Sequence, residues 1–209
     1  MLKYRPFEMH CHTRHSDGTF LVPQLIESVA AYGYAGLALT DHNAVTGLLE
    51  VTEELQRKNN CLVLPGIEWT TFYGHLLVIG CDRFVDWRFV TPDTIDEALQ
   101  EIRAAGGIAG VAHPCEVGSP LMCGCNWEFR VKRWDLMDYV EIWSGPDPHA
   151  SAKNGLAMPW YDALLNQGYH LAISAGRDWH GPDKPGQIPL LTATYLGIDG
   201  DVTIENAKA

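Results

Sequence analysis

The chain has 209 residues, a length that fits one domain and can bury a large core without disulfides. Its 46% hydrophobic and 20% charged residues exclude a disordered chain. Fifteen Lys and Arg against 26 Asp and Glu leave a net charge of −11, which argues against a sequence-independent grip on DNA, RNA or an anionic membrane.

The first ten residues lack the apolar run of a secretory signal, and no stretch approaches the roughly 18 apolar residues of a membrane helix. Six cysteines, mostly in or beside apolar runs, read as free thiols. The expectation is therefore a cytoplasmic protein with no membrane association. In chain order, the pattern predicts a strand over 7–12 and a helix over 23–32, with Leu25, Ile26, Val29 and Ala30 on one stripe and Pro23 in the first turn. A strand over 36–41 and a helix over 45–58 follow, the helix repeating Leu48, Leu49, Val51 and Leu55. Strands over 61–68 and 75–79 come next, then a helix over 92–105 that stops at Gly106-Gly107. Beyond a strand over 107–113, residues 115–135 and 144–160 read as long loops around a strand over 139–143. A short helix over 160–166 and a strand over 170–174 complete the series. Apolar strands alternating with helices predict an α/β fold with a parallel sheet.

Chemistry-bearing residues sit where these strands finish. The first ends in His10-Cys-His12, two imidazoles on one face of a strand, followed by Asp17. Thr40-Asp41-His42 ends the second, Glu68 the third and His113 the fifth. His75 begins the fourth, and Asp178-Trp-His180 follows the last. One histidine at a strand end is usually a hydrogen-bonded structural residue, and one Asp there is usually a cap or turn, which is the reading for Asp41 and Asp93. The same accident at five or six strand ends is far less probable than one metal cluster. Imidazole with carboxylate suits Zn, Mn or Fe. Cys123-Gly-Cys125 lacks a second pair at matching spacing and is only a weak zinc signal.

These motifs resemble the PHP family of metallohydrolases (polymerase and histidinol phosphatase). The resemblance rests on His10-Cys-His12-Thr-Arg-His-Ser-Asp17-Gly18, Thr40-Asp41-His42, Gly66-Ile-Glu68, Gly74-His75, Ala112-His113-Pro114 and Asp178-Trp-His180. Residues 70–75, 86–88 and 141–145 look most like its carbaryl-hydrolase-type branch. The resemblance implies that residues 1–209 form a single domain, a distorted (β/α)7 TIM-like barrel with two or three divalent ions at its C-terminal rim. It assigns His10, His12, Glu68 and Asp178 to a first ion, Glu68, His75 and His113 to a second, and Asp17, His42 and His180 to a third. Many relatives carry a small residue where this chain has Arg177.

The expected activity is metal-dependent hydrolysis of a small phosphate mono- or diester, with a metal-bridging hydroxide as nucleophile. Asp178 or His180 would relay the proton to the leaving group. Arg177 would clamp phosphate oxygens, ahead of Arg14 and Lys184, which read equally well as surface charges. His15 reads as an orienting or an exposed residue, and His149 and His170 as structural. Trp127, Trp143, Trp160 and Trp179 read as pocket walls or as packing. Hydrolysis of a carbamate, ester or amide on the same centre is the alternative, and a non-catalytic metal-binding module is a third reading. No long nucleic acid is expected as substrate.

Overall fold

The computed structural model describes residues 1–118, 124–147, 151–183 and 192–209. Its elements are β1 (Lys3–Cys11), α1 (Val22–Ala31), β2 (Gly36–Leu39), a 3-10 turn (Thr46–Glu50), α2 (Glu53–Asn59), β3 (Leu62–Thr71) and β4 (Gly74–Ile79). They continue with α3 (Ile95–Ala104), β5 (Ile108–Val111), a second 3-10 turn (Trp134–Leu136), β6 (Tyr139–Ser144), α4 (Ala152–Asn166), β7 (Ala172–Gly176), β8 (Thr194–Ile198) and α5 (Ile204–Lys208). The strands form one eight-stranded sheet ordered β7-β6-β5-β4-β3-β2-β1-β8, which curls until β7 meets β1. This is the expected α/β barrel, nearly closed.

Two features of the sheet differ from the sequence expectation. β4 runs antiparallel to both β3 and β5, and β8, not anticipated, pairs antiparallel with β1. Only Phe72 and Tyr73 separate β3 from β4. A parallel return needs a dozen or more residues, so that connection can only be a hairpin. The reversal places the start of β4, and with it His75, at the same rim as the ends of its neighbours. β8 escaped notice because its residues are half exposed and interrupted by Gly197.

The helix expected over 45–58 is broken at Val51, which is extended; Thr52 then caps α2 by accepting a hydrogen bond from Leu55 N through its hydroxyl. Most of the loop expected over 144–160 is instead helical. Gly155 and Pro159 weaken the local signal, but α4 packs on β6 and buries Ala157 and Leu164.

Phe7, Met9, Ala38, Leu64, Leu77, Ile79, Tyr139 and Ile198, drawn from strands all round the sheet, meet in one buried cluster that fills the barrel interior. Ile204 and Ala207 of α5 pack under it, and Lys208 Nζ donates to the carbonyls of Gly80 and Gly106, closing one end. The functional residues lie at the other end. Where β7 meets β1, side chains replace a regular ladder. The Glu8 carboxylate accepts from the backbone N–H of His10 (3.0 Å) and of Arg177 (2.9 Å). From β8, the strand beside β1, Thr194 Oγ1 bonds both the N–H and the carbonyl of Ala175. Among the described residues, backbone bonds across the join lie at the rim, from Trp179 N to His10 O and from His12 N to Trp179 O.

Candidate metal centre

A β-bulge in β1 between Glu8 and Cys11 turns His10 into the barrel, and His12 follows two residues on. Both are fully buried, as is Glu68 from β3. The Glu68 carboxylate is the centre of the site. Its Oε2 lies 3.1 Å from His10 Nε2, 3.4 Å from His12 Nε2 and 2.8 Å from His42 Nδ1. Its Oε1 lies 2.9 Å from His75 Nδ1 and 3.1 Å from His113 Nε2. Five imidazoles from four strand ends, two of them from β1, thus surround one carboxylate. Burial alone would raise the Glu68 pKa, but His10, His113 and His42 outweigh it and hold the group well below the usual carboxylate range.

Asp178 forms a second focus, with Oδ1 3.0 Å from His12 Nε2 and 3.4 Å from His10 Nε2. Asp17 lies at the mouth, 3.2 Å from His180 Nε2 and 3.6 Å from His42 Nε2. His113 and Asp178 both adopt positive φ, 23° and 49°, immediately beyond β5 and β7. Non-glycine residues rarely tolerate this conformation, and here it turns two side chains into the cluster.

The donor set fits divalent cations. His10 Nε2 and Glu68 Oε2 face each other in the buried floor, neither with a hydrogen-bond partner, and one nitrogen each of His12, His75 and His113 is likewise orphaned. Buried lone pairs left facing one another are costly without a cation between them. Ligand atoms within 4.8 Å of one another group as His10, His12, Glu68 and Asp178; as His12, Asp17, His42 and His180; as His42, Glu68 and His75; and as His113, Glu116 and Asp178. The first group is the expected first-ion set, and the second contains the expected third-ion set with His12 added. His75 and His113 both reach Glu68, but the closest groupings place His42 beside His75 and bring the unanticipated Glu116 beside His113.

Three supporting carboxylates shape the site. Glu141 accepts from His10 Nδ1 (3.0 Å) and from His113 N (3.1 Å), fixing two cluster members from β6. Its signal was a lone acid inside the apolar run Tyr139-Val-Glu-Ile. Glu8 shares the strand spacing of His10 and His12, and burial pushes its carboxyl up to about 8, against the lowering effect of the backbone N–H groups it accepts. Asp41 accepts from Thr13 N, Thr13 Oγ1 and Ser16 Oγ, each at 2.7 Å, and so organises the loop that presents Asp17, as its turn reading implied. In the same loop a Cβ on Gly18 would lie 2.5 Å from the His12 carbonyl oxygen, so only glycine fits.

The other expected residues lie elsewhere. Arg177 lines a cleft with Asp178 and His180, and its Nε and Nη1 have no hydrogen-bond partner. Its guanidinium is buried, stacks 4.0 Å from the Trp179 ring and pairs with Asp183. Arg14 is exposed and donates to the carbonyl of Thr19. His15 bonds Thr46 and Glu50, away from the cluster, and His170 is exposed. Trp127, Trp160 and Trp179 serve as packing. Lys184, His149 and Cys123 lie outside the described residues.

Set beside known proteins, residues 8–109 match the family model of the PHP domain. The match supports the PHP family. A 3',5'-nucleoside bisphosphate phosphatase of Chromobacterium violaceum is 34% identical over 79 residues, which is 36% of this chain and 27% of that protein. Among solved structures, a two-domain protein from Bacteroides vulgatus containing a predicted PHP-like metal-dependent phosphoesterase has a TM-score of 0.65 at 17% identity. That likeness covers 94% of this chain and 59% of the other. An amidohydrolase from Chromobacterium violaceum, with bound sulfate and no metal, has a TM-score of 0.57 at 19% identity, covering 84% and 88%. These structures establish the barrel as PHP-like in fold. Among the described residues, no helix is long and apolar enough to cross a membrane.

Proposed function

We propose that this chain is a metal-dependent phosphoesterase of the PHP family that hydrolyses a small phosphate mono- or diester. The observation that carries the reading is the convergence of five imidazoles on Glu68 beside Asp178 and Asp17. In this reading His10, His12, Glu68 and Asp178 hold one Zn, Mn or Fe ion, and Glu68, His75 and His113 hold a second. Asp17, His42 and His180 hold a third, with His12 in reach. Such ions supply an activated water near neutral pH and stabilise charge building on phosphoryl oxygens.

The chain's own residues do the rest. Glu141 orients His10. His180 Nδ1 donates to the Asp178 carbonyl at 2.8 Å, which leaves its Nε2 lone pair facing Asp17 as a ligand. Asp178 would then take up the proton released by the attacking water and pass it to the leaving group. Buried floor residues exclude bulk water, while Asp17 and His180, with side chains 59% and 36% exposed, admit a small substrate.

The strands from Lys3 to Ile198 share one sheet, which supports one PHP-like domain. Among the described residues, the free thiols of Cys11, Cys61, Cys81 and Cys115 support a cytoplasmic location. The motifs at 70–75, 86–88 and 141–145 support the carbaryl-hydrolase-type branch. The amidohydrolase with the same fold favours a second reading, hydrolysis of a carbamate, ester or amide. A panel of phosphate mono- and diesters beside aryl esters and amides separates the two. Turnover of phosphate esters by metal-loaded protein is expected, and turnover of carbonyl substrates alone would overturn the phosphoesterase reading. A loaded protein that hydrolyses nothing would point to a non-catalytic metal-binding module.

A further inference from the structure

We infer that Lys153 is the side chain that receives the phosphate group, with Glu116 as the counter-ion that holds its ammonium in place until an anion arrives. The inference rests on the phosphoesterase reading and assigns it a specificity-determining residue. Lys153 lies in the first turn of α4, where sequence alone offered no reason to single it out. Its placement is fixed by its neighbour. Asn154 Oδ1 accepts from Ser144 N and Asn154 Nδ2 donates to Ser144 O, pinning that turn of α4 to the end of β6. Lys153 Nζ pairs with Glu116 Oε2 and lies 3.4 Å from Ser144 Oγ. Glu116 Oε2 in turn lies 3.9 Å from His113 Nδ1, and the carboxylate belongs to the same cluster of ligand atoms as His113 and Asp178. The ammonium is therefore one carboxylate away from the candidate metal ligands. A phosphoryl group is about as wide as the carboxylate that fills this gap. Seated there, it would reach the cluster with one edge and Lys153 with the other.

Of the other basic side chains considered as phosphate clamps, the two among the described residues are each held by partners of their own. Arg177 is stacked on Trp179 and paired with Asp183, and Arg14 is exposed and bonded within its own loop. Lys153 is neither buried nor fully exposed, with 20% of its side chain accessible beside Glu116 at 27%. A cation in such a partly dry place loses less to solvent than one on the open surface, and its charge-assisted bonds to a phosphate are correspondingly stronger. The site would thus favour anionic over neutral esters.

Three variants test this on the full chain loaded with metal: Lys153→Ala, Lys153→Arg and Glu116→Gln. The readouts are the Kd of inorganic phosphate by calorimetry and the split between KM and kcat on an aryl phosphate. Lys153→Ala should weaken phosphate binding and raise KM by about tenfold or more, with a smaller change in kcat, and Lys153→Arg should recover most of the loss. Glu116→Gln removes a negative charge beside the incoming anion, so phosphate should bind severalfold tighter. A pair that serves only the fold would instead lose in the same direction in both variants. An unchanged phosphate Kd in Lys153→Ala, or weaker binding in Glu116→Gln with metal content intact, would overturn the assignment. Phosphate affinity is measured whether or not phosphate esters turn over. A wild-type protein that binds phosphate through Lys153 but cleaves only carbonyl esters would therefore refute the proposed function while upholding the anion site.

Discussion

Replacing Glu141 with glutamine removes a charge from behind the metal cluster while keeping the shape of the side chain. In the fold, the Glu141 carboxylate is 1% exposed and takes two donors, His10 Nδ1 at 3.0 Å and His113 N at 3.1 Å, through different oxygens. Glutamine offers one acceptor oxygen, so one of these donors loses its partner and meets an N–H group instead. A hydrogen bond to a charged acceptor contributes about 1.5–3 kcal/mol, and the buried donor left over adds a penalty of similar size. The metal-free variant should therefore be destabilised by roughly 3–6 kcal/mol. The effect on metal should be larger than the geometry of His10 alone suggests, because the carboxylate also makes the imidazole a stronger donor. Supports of this kind are worth about 10–100-fold in metal affinity. Competition with a chromophoric chelator measures that loss, and thermal unfolding of the stripped protein measures the stability term. A Glu141→Gln variant that binds metal within about twofold of wild type would refute the role given to Glu141, and with it the placement of His10 as a ligand.

Four further outcomes are expected. Gly176→Ala puts a Cβ 2.5 Å from His10 Cβ and 2.7 Å from Glu141 Oε1, so it should cost about 1–3 kcal/mol by thermal unfolding and lower the metal bound per chain. Asp41→Ala leaves three donors of the 13–18 loop without their acceptor, and should cost about 1–3 kcal/mol and reduce kcat through Asp17, as kinetics on the metal-loaded protein would show. Chelation should abolish hydrolysis and lower the melting temperature, with both restored by Zn, Mn or Fe; activity that survives complete removal by elemental analysis would contradict the metal centre. Burial pushes the Cys61 thiol up to about 12, so it should stay protonated and resist alkylation in the native state at pH 8, reacting only after unfolding.

The ligand set was legible because metal-binding side chains are conspicuous at the ends of otherwise apolar runs. His10, His12, His42, Glu68, His75, His113 and Asp178 each interrupt such a run, and the fold brings all of them together. Glu8 and Glu141 were equally visible as acids inside buried strands, but a strand carries no local mark of what its inward side chain will meet. The direction of β4 was written in the two-residue gap between β3 and β4, too short for a parallel return. Lys153 and Glu116 were not legible. One belongs to a helix that Gly155 and Pro159 disguise and the other to an irregular segment, and only the docking of α4 on β6 makes them neighbours. Arg177 shows the converse case, since adjacency to Asp178 in sequence gave no sign that its guanidinium would stack on Trp179 and pair with Asp183.

The join between β7 and β1 has a consequence for how the protein assembles. His10 and His12 stand on one lip of that join and Asp178 on the other, 166 positions beyond His12 along the chain, and the lips are held by Glu8, by Thr194 of β8 and by two backbone bonds at the rim. Contacts so distant in sequence close late in folding, because the chain entropy of the whole intervening loop must be lost first. The same few bonds make this line the easiest place for the finished barrel to part. An ion gripped by His10, His12 and Asp178 would act as a rivet across it. Amide hydrogens of His12 and Trp179 should then exchange slowly in the loaded protein and early in the stripped one, so that loss of metal and the first opening of the barrel are a single event.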